Sequence, residues 1–218
     1  MKDILSFLKN LQDNNTKEWF EANKATYLQN KNHFDDVVNS LIKEIRKFDK
    51  SIEPELEAKH CVFRIYKDVR FSKDKSPYKT NMGASINAGG KKSAKAGYYI
   101  HVENNKNFLA GGIYMPMPDV LAKIRQEIDY NGKTFIKILD SKNFKQFFKG
   151  IDEMDKLKNP PKGYDKDHPL IEVLKNKHFT VSHPLSNKEI TSSNFEKTVV
   201  DGFKAMKPFL DFLNTVHT

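Results

Sequence analysis

Tyr98-Tyr99-Ile100-His101-Val102-Glu103-Asn104-Asn105-Lys106-Asn107-Phe108-Leu109-Ala110-Gly111-Gly112-Ile113-Tyr114-Met115 decides the fold class. Two runs rich in aromatic and branched residues, 98–103 and 108–115, flank the polar turn 104–107. That arrangement predicts a β-hairpin. Alternation along the first run puts Tyr99, His101 and Glu103 on one face. A pair of glycines, Gly111-Gly112, inside a strand pattern implies a bulge or another backbone or ligand coming close.

Working outward, residues 82–88 read as a short strand. Cys61-Val62-Phe63-Arg64-Ile65-Tyr66 also alternates, with Phe63 and Ile65 on one face and Arg64 and Tyr66 on the other. A further strand is expected over 179–182. Short connections make the sheet predominantly antiparallel. Between strands, Gly89-Gly90-Lys91-Lys92-Ser93-Ala94-Lys95-Ala96-Gly97 has no bulky anchor and is expected to be mobile.

Both flanks of this region are helical in period. Ile4, Phe7, Leu8 and Leu11 predict a short first helix. Glu18, three residues after Asn15, signals a second start. From there Phe20, Tyr27, Phe34, Val38, Leu41, Ile45 and Phe48 mark one long amphipathic helix or two stacked pieces. Trp19 and Phe20 could form a ligand platform, but aromatics at helical spacing are far more often core, and the core reading is taken. Helical stripes return at 120–128, 135–139 and 144–148. Lys158-Asn159-Pro160-Pro161-Lys162-Gly163 is a loop, since prolines deny helix geometry and backbone donors. A short helix is expected near 169–176. The last helix is expected from Ser193-Asn194-Phe195-Glu196, a capping-box pattern, through Val199, Phe203, Met206, Leu210 and Leu213, kinked or split at Pro208. The sum is one α+β domain over 1–218, a predominantly antiparallel sheet from the middle of the chain packed by N-terminal and C-terminal helices.

The chain has 218 residues, 38% apolar and 30% charged, enough for one sizeable core. Its uncharged runs are too short to cross a bilayer as a helix, and the N-terminus interrupts its apolar residues with charges, unlike a signal peptide. No membrane partner is expected. A single cysteine, Cys61, excludes an internal disulfide and a multi-cysteine zinc site, and is read as a buried strand residue. A cytoplasmic location is expected. Net charge is +9 with a pI near 9.3. Yet only Arg46, Arg64, Arg70 and Arg125 are arginines, and the other 33 of 37 cations are lysine. That skew looks compositional, so bulk charge says little about a partner and local clustering says more.

One cluster stands out: Arg64-Ile65-Tyr66-Lys67-Asp68-Val69-Arg70-Phe71-Ser72-Lys73-Asp74-Lys75-Ser76-Pro77-Tyr78-Lys79. Six cations and two carboxylates give it a net +4, and two of the four arginines lie in it. A guanidinium holds a carboxylate or phosphate bidentately, which an ammonium cannot. In an unbroken strand Arg64 and Arg70 would face the same side with Asp68 between them. Pro77 would then turn Tyr78 and Lys79 back over that surface. Two readings stay open: a charged rim of ion pairs guarding a sheet edge, or an anion site of Arg64, Arg70, Lys75 and Lys79 oriented by Asp68.

Other constellations are weaker. Gly83 and Gly89-Gly90-Lys91-Lys92-Ser93 lack the spacing of a phosphate loop. The seven histidines form no metal-binding spacing, and neither a metal nor a cofactor is expected. His101 could serve as acid or base if its face turns toward the basic segment, although a surface strand histidine is the commoner case. His168 and His183, each followed by proline, read as turn starts.

These residues together resemble a bacterial family of conserved hypothetical proteins, domain of unknown function family 2461. The resemblance runs almost end to end. It includes Asn14-Asn15 before Trp19-Phe20 and Tyr27, Phe63-Arg64-Ile65, the stretch from Asp68 to Lys79, and Gly97-Tyr98-Tyr99. It continues with Gly111-Gly112 before Pro116, the Pro161-Lys162-Gly163 to His168-Pro169 loop, and the proline-containing last helix. Lys67 departs from the pattern, which more often carries arginine there. The resemblance implies a cytoplasmic single-domain protein and brings no reaction, cofactor or catalytic residue. Three functions follow as expectations. The first is a pocket for a phosphate- or carboxylate-bearing small ligand, built from Arg64, Asp68, Arg70, Lys75, Tyr78, Lys79 and His101, with enzymatic activity left open. The second is nucleic-acid binding along the 64–79 segment and the lysines of 90–95, with Tyr78 or Tyr99 stacking on bases. The third is a protein-interaction module.

Overall fold

The computed structural model describes residues 1–217. Helices α1 (Lys2–Asp13), α2 (Lys17–Ala22), α3 (Lys24–Phe48) and α4 (Ala58–Cys61) precede strands β1 (Asn81–Ile86), β2 (Gly97–Glu103) and β3 (Asn107–Ile113). Then come α5 (Pro118–Tyr130), α6 (Gly132–Leu139), α7 (Lys142–Phe147), α8 (Ile171–Leu174), β4 (Phe179–Leu185), α9 (Asn187–Ile190) and α10 (Phe195–Asn214). The fold is α+β. Its antiparallel sheet, in the order β1-β2-β3-β4, packs against N-terminal and C-terminal helices. No helix among the described residues is long and apolar enough to cross a membrane.

The backbone groups into two compact units, one of Met1–Ser93, Tyr99–Leu109 and Pro184–Asp201, the other of Ala94–Tyr98, Ala110–His183 and the chain from Gly202. In the first, the apolar stripe of α1 (Ile4, Leu8, Leu11) and that of α3 (Phe34, Val38, Leu41, Ile45) are buried, as are Ala84, Ile86, Ile100, Val102 and Leu109 of the strands. The second start is capped by Thr16, whose side chain accepts from the Trp19 amide, one residue beyond Asn15. Asn23 separates α2 from α3, so the two-piece alternative is the correct one. Asn15 takes another job: its Nδ2 donates to the Tyr78 carbonyl at 2.9 Å, and its Oδ1 accepts from the Tyr78 amide at 3.1 Å. That fork anchors the far end of the basic segment.

The second unit has an aromatic core. Tyr98 meets Phe203 with ring centroids 5.0 Å apart, Phe135 meets Phe212 at 4.9 Å, and Phe144 meets Phe148 at 5.1 Å. The glycine pair is explained by close approach. A Cβ on Gly111 would meet Met206 Sδ at 2.2 Å, and one on Gly112, with φ at 125°, would meet the Phe179 carbonyl oxygen at 2.0 Å.

Several expectations need correction. Residues 61–66 are not a strand: Cys61 ends α4, and only Val62 and Tyr66 make isolated bridges, to Ala84 and Tyr78. A regular ladder from the Tyr66–Tyr78 pair would set Val62 opposite Met82, but Val62 lies opposite Ala84. This two-residue slip breaks the pairing, as a bulge does, and Phe63 is 40% exposed where strict alternation buries it with Ile65. The last helix begins at Phe195, later than a Ser193 cap would set it, because Glu196 instead accepts a hydrogen bond from Ser40 Oγ. It runs through Pro208 without being split. The 89–97 connection is pinned by Lys91, whose ammonium donates to the carbonyls of Lys59 and Val62. His183 lies inside β4, not at a turn, and Pro184 is tolerated there because β4 is an edge of the sheet.

Candidate functional site

After Tyr66 the chain leaves the sheet edge and returns at Tyr78. Lys67 N donates to Pro77 O and Lys79 N to Ile65 O, closing a loop over 67–77. The loop is stapled from within. The Lys67 ammonium binds Asp74 at 2.5 Å and Ser76 Oγ at 3.2 Å, and the Lys75 ammonium donates to the Val69 carbonyl at 3.0 Å. Arg70 grips Asp68 bidentately, Nε to Oδ1 at 3.0 Å and Nη2 to Oδ2 at 2.7 Å, and these bonds hold the Asp68 carboxyl below its ordinary range. Lys67 does the same for Asp74.

The unbroken strand that would align Arg64 with Arg70 is therefore absent. Asp68 is in ion-pair reach of an arginine, as expected, and that arginine is Arg70. Its side chain is 76% exposed, so the pair is a surface one and stabilises little. Tyr78 is 4% exposed, its ring stacked on Phe20 at 3.9 Å. No hydrogen bond or ion pair among the described residues joins Arg70 or Lys75 to Arg64 or Lys79.

Arg64 and Lys79 form a separate pair. The Lys79 ammonium donates to the Arg64 carbonyl at 3.1 Å and lies 5.7 Å from the Phe63 ring centroid. Partial burial, and then the Arg64 charge, push the Lys79 pKa down. Neither side chain has a carboxylate partner within ion-pair distance among the described residues. This separates Arg64 from the other arginines. Arg46 forks onto the carbonyls of Glu53, Pro54 and Leu56, Arg125 onto those of Leu174 and Asn176, and Arg70 onto Asp68.

From Phe63 the contacts continue along one face of β2. Phe63 meets Tyr99 edge-on at 6.4 Å. The Tyr99 hydroxyl lies 3.1 Å from His101 Nδ1, and His101 Nε2 lies 3.2 Å from Glu103 Oε2. The tautomer that satisfies both neighbours carries its proton on Nε2, donates to the carboxylate and accepts the tyrosine proton. Phe108 stacks on the imidazole at 4.5 Å, and Thr80 Oγ1 donates to Glu103 at 3.1 Å. Burial lowers the His101 pKa more than Glu103 raises it. Burial pushes the Tyr99 hydroxyl up to about 12, so it remains a donor. Gly83 makes room for that hydroxyl, which lies 2.5 Å from where a Cβ would stand. Sequence reading singled out His101 and the face it shares with Tyr99 and Glu103. It did not assign Gly83 or Phe63, since only the packing joins them to the row.

The family model described as Conserved hypothetical protein (DUF2461) matches residues 3–212. The chain belongs to that family. No curated protein and no solved structure matches it. For this DUF2461 chain the functional reading therefore rests on the chemistry of its own side chains. Among the described residues, no group of three or more histidine, cysteine or acidic side chains could hold a metal ion. Cys61 is buried, and that burial pushes its thiol up to about 11, well away from a nucleophilic thiolate.

Proposed function

We propose that this protein binds a small phosphate- or carboxylate-bearing ligand at Arg64 and Lys79, beside the Tyr99–His101–Glu103 row. One observation carries the reading. Among the described residues, Arg64 is the arginine whose guanidinium meets no hydrogen-bond or ion-pair partner, and its charge acts on Lys79, whose ammonium bonds the Arg64 carbonyl and meets no carboxylate. Two cations held together cost electrostatic free energy, which a bound dianion offsets. His101, neutral and aligned between a hydroxyl donor and a carboxylate, adds acid–base capacity to the same face. The test is a thermal-shift titration with inorganic phosphate, 3-phosphoglycerate and citrate. At least one should raise the melting temperature saturably, and Arg64→Ala should abolish the rise. No response from any of the three, or an undiminished response in Arg64→Ala, would overturn the reading.

A second reading, nucleic-acid binding by the 64–79 segment, draws on Phe71. It is 96% exposed, with the Arg70 guanidinium 5.9 Å from its ring centroid, a geometry suited to stacking on an unpaired base. Internal ion pairs at Lys67 and Arg70 weigh against it, because they remove two charges a phosphate backbone would use. Binding to a single-stranded oligonucleotide should accordingly be weak and fall steeply with salt.

A further inference from the structure

Between α1, α2 and α3 lies a groove of about 420 Å³, a volume that suits a small organic ligand. Its walls are two helix faces of identical spacing: Asp3, Ser6, Phe7 and Asn10 from α1, and Thr26, Gln29, Asn30 and His33 from α3. Trp19 and Asn23 complete the lining. Phe20 is core as the helical spacing implies, but Trp19 is not: its indole is half-buried and forms part of this wall, 5.9 Å from the Phe7 ring.

Most of the polar lining is uncommitted. Asn23 and Asn30 donate through Nδ2 to carbonyls of their own turns, Trp19 O and Thr26 O. The side chains of Asp3, Ser6, Asn10, Thr26, Gln29 and His33 make no hydrogen bond among the described residues. Asn30 is the telling one. It sits on the apolar stripe of α3 between Tyr27 and Phe34 and is only 4% exposed. Its Oδ1 accepts no hydrogen bond among the described residues and is not sealed from solvent, so it stays available to a donor in the groove.

We infer that this groove binds a neutral saccharide, with a sugar ring against the Trp19 indole and its hydroxyls paired to Asn10, Gln29 and Asn30. Amides and hydroxyls both donate and accept, as sugar hydroxyls do. They are spread over both helix faces, which matches a ring carrying hydroxyls all round better than a base with one polar edge. The lining holds no lysine or arginine, in a chain with 33 lysines, so nothing there favours a phosphate. The site is thus distinct in chemistry from the Arg64–Lys79 pair.

Trp19 is the single tryptophan of the chain, so its fluorescence reports on this groove alone. The experiment titrates the intact protein with maltose, cellobiose and N,N′-diacetylchitobiose, with glucose 6-phosphate as the charged control. A saturable change in emission is expected with at least one neutral disaccharide. Asn10→Ala and Gln29→Ala replace exposed side chains and should leave the melting temperature unchanged, while each weakens that binding roughly tenfold. Calorimetry on Trp19→Ala should show the binding lost. The proposal is overturned if no neutral disaccharide gives a saturable response into the tens of millimolar. It is equally overturned if the response survives unchanged in Asn10→Ala and Gln29→Ala, or if only the charged control binds.

Discussion

At His101 two neighbours pull in opposite directions, and burial decides between them. Glu103 favours the imidazolium, desolvation disfavours it, and the net shift is downward. The folded protein therefore binds this proton less readily than the unfolded chain, whose histidine titrates near about 6.5. Stability from His101 is complete above that value and is lost as pH falls through the lower folded one. Melting curves from neutral pH into the mildly acidic range should show the wild type losing more stability than His101→Gln, which keeps a polar group but cannot ionise. Parallel losses in the two proteins would contradict the shift. The same residue shows what a single sequence can tell. Alternation alone put Tyr99, His101 and Glu103 on one face, because a strand's period is fixed by its pleat. That burial outweighs the carboxylate depends on packing such as the Phe108 ring stacked on the imidazole, which only the folded sheet fixes.

At the scale of elements, patterns with a long period were legible, and local exceptions to them were not. The stripes of α1, α3 and α10 and the 98–115 hairpin carry many concordant residues, so each survives an odd position. Residues 61–66 alternate just as well, yet the slip between the Val62–Ala84 and Tyr66–Tyr78 bridges removes the strand. Nothing local to the segment encodes a slip that arises on its partner. Caps behaved similarly: Ser193 and Asn15 had the right chemistry, but Glu196 and Asn15 found distant partners in Ser40 and Tyr78. The last helix remains decisive for stability. Val199, Phe203, Met206, Phe209, Leu210, Phe212 and Leu213 are all buried. At about 1.5–3 kcal/mol for each large apolar side chain, their combined loss of about 10–20 kcal/mol is comparable to or larger than the roughly 5–15 kcal/mol that holds a domain folded. Deleting the chain from Ser193 onward should give an insoluble or non-cooperative product by calorimetry. A sharp melting transition in that truncation would show the helix to be dispensable.

Across the whole molecule, the net charge of +9 is a poor guide, and the pairing of individual charges a better one. The 64–79 segment looks like one continuous +4 stripe in sequence, but Lys67–Asp74 and Arg70–Asp68 pair within the loop, so its net charge resides on Arg64, Lys73, Lys75 and Lys79. The two arginines of the 64–79 segment, in a chain that otherwise uses lysine, point to a demand for bidentate geometry. At Arg70, as at Arg46 and Arg125, that demand is met inside the protein, and at Arg64 no partner is found among the described residues.

The central claim is that an anion supplies the missing partner of Arg64. Four arginines give four side-chain Nε–H resonances, assignable by single Arg→Lys variants, and NMR can follow each during a titration with inorganic phosphate. Arg46, Arg125 and the ion-paired Arg70 should stay fixed while the Arg64 signal moves saturably. A titration in which Arg64 does not respond, or in which Arg70 alone does, would contradict the account.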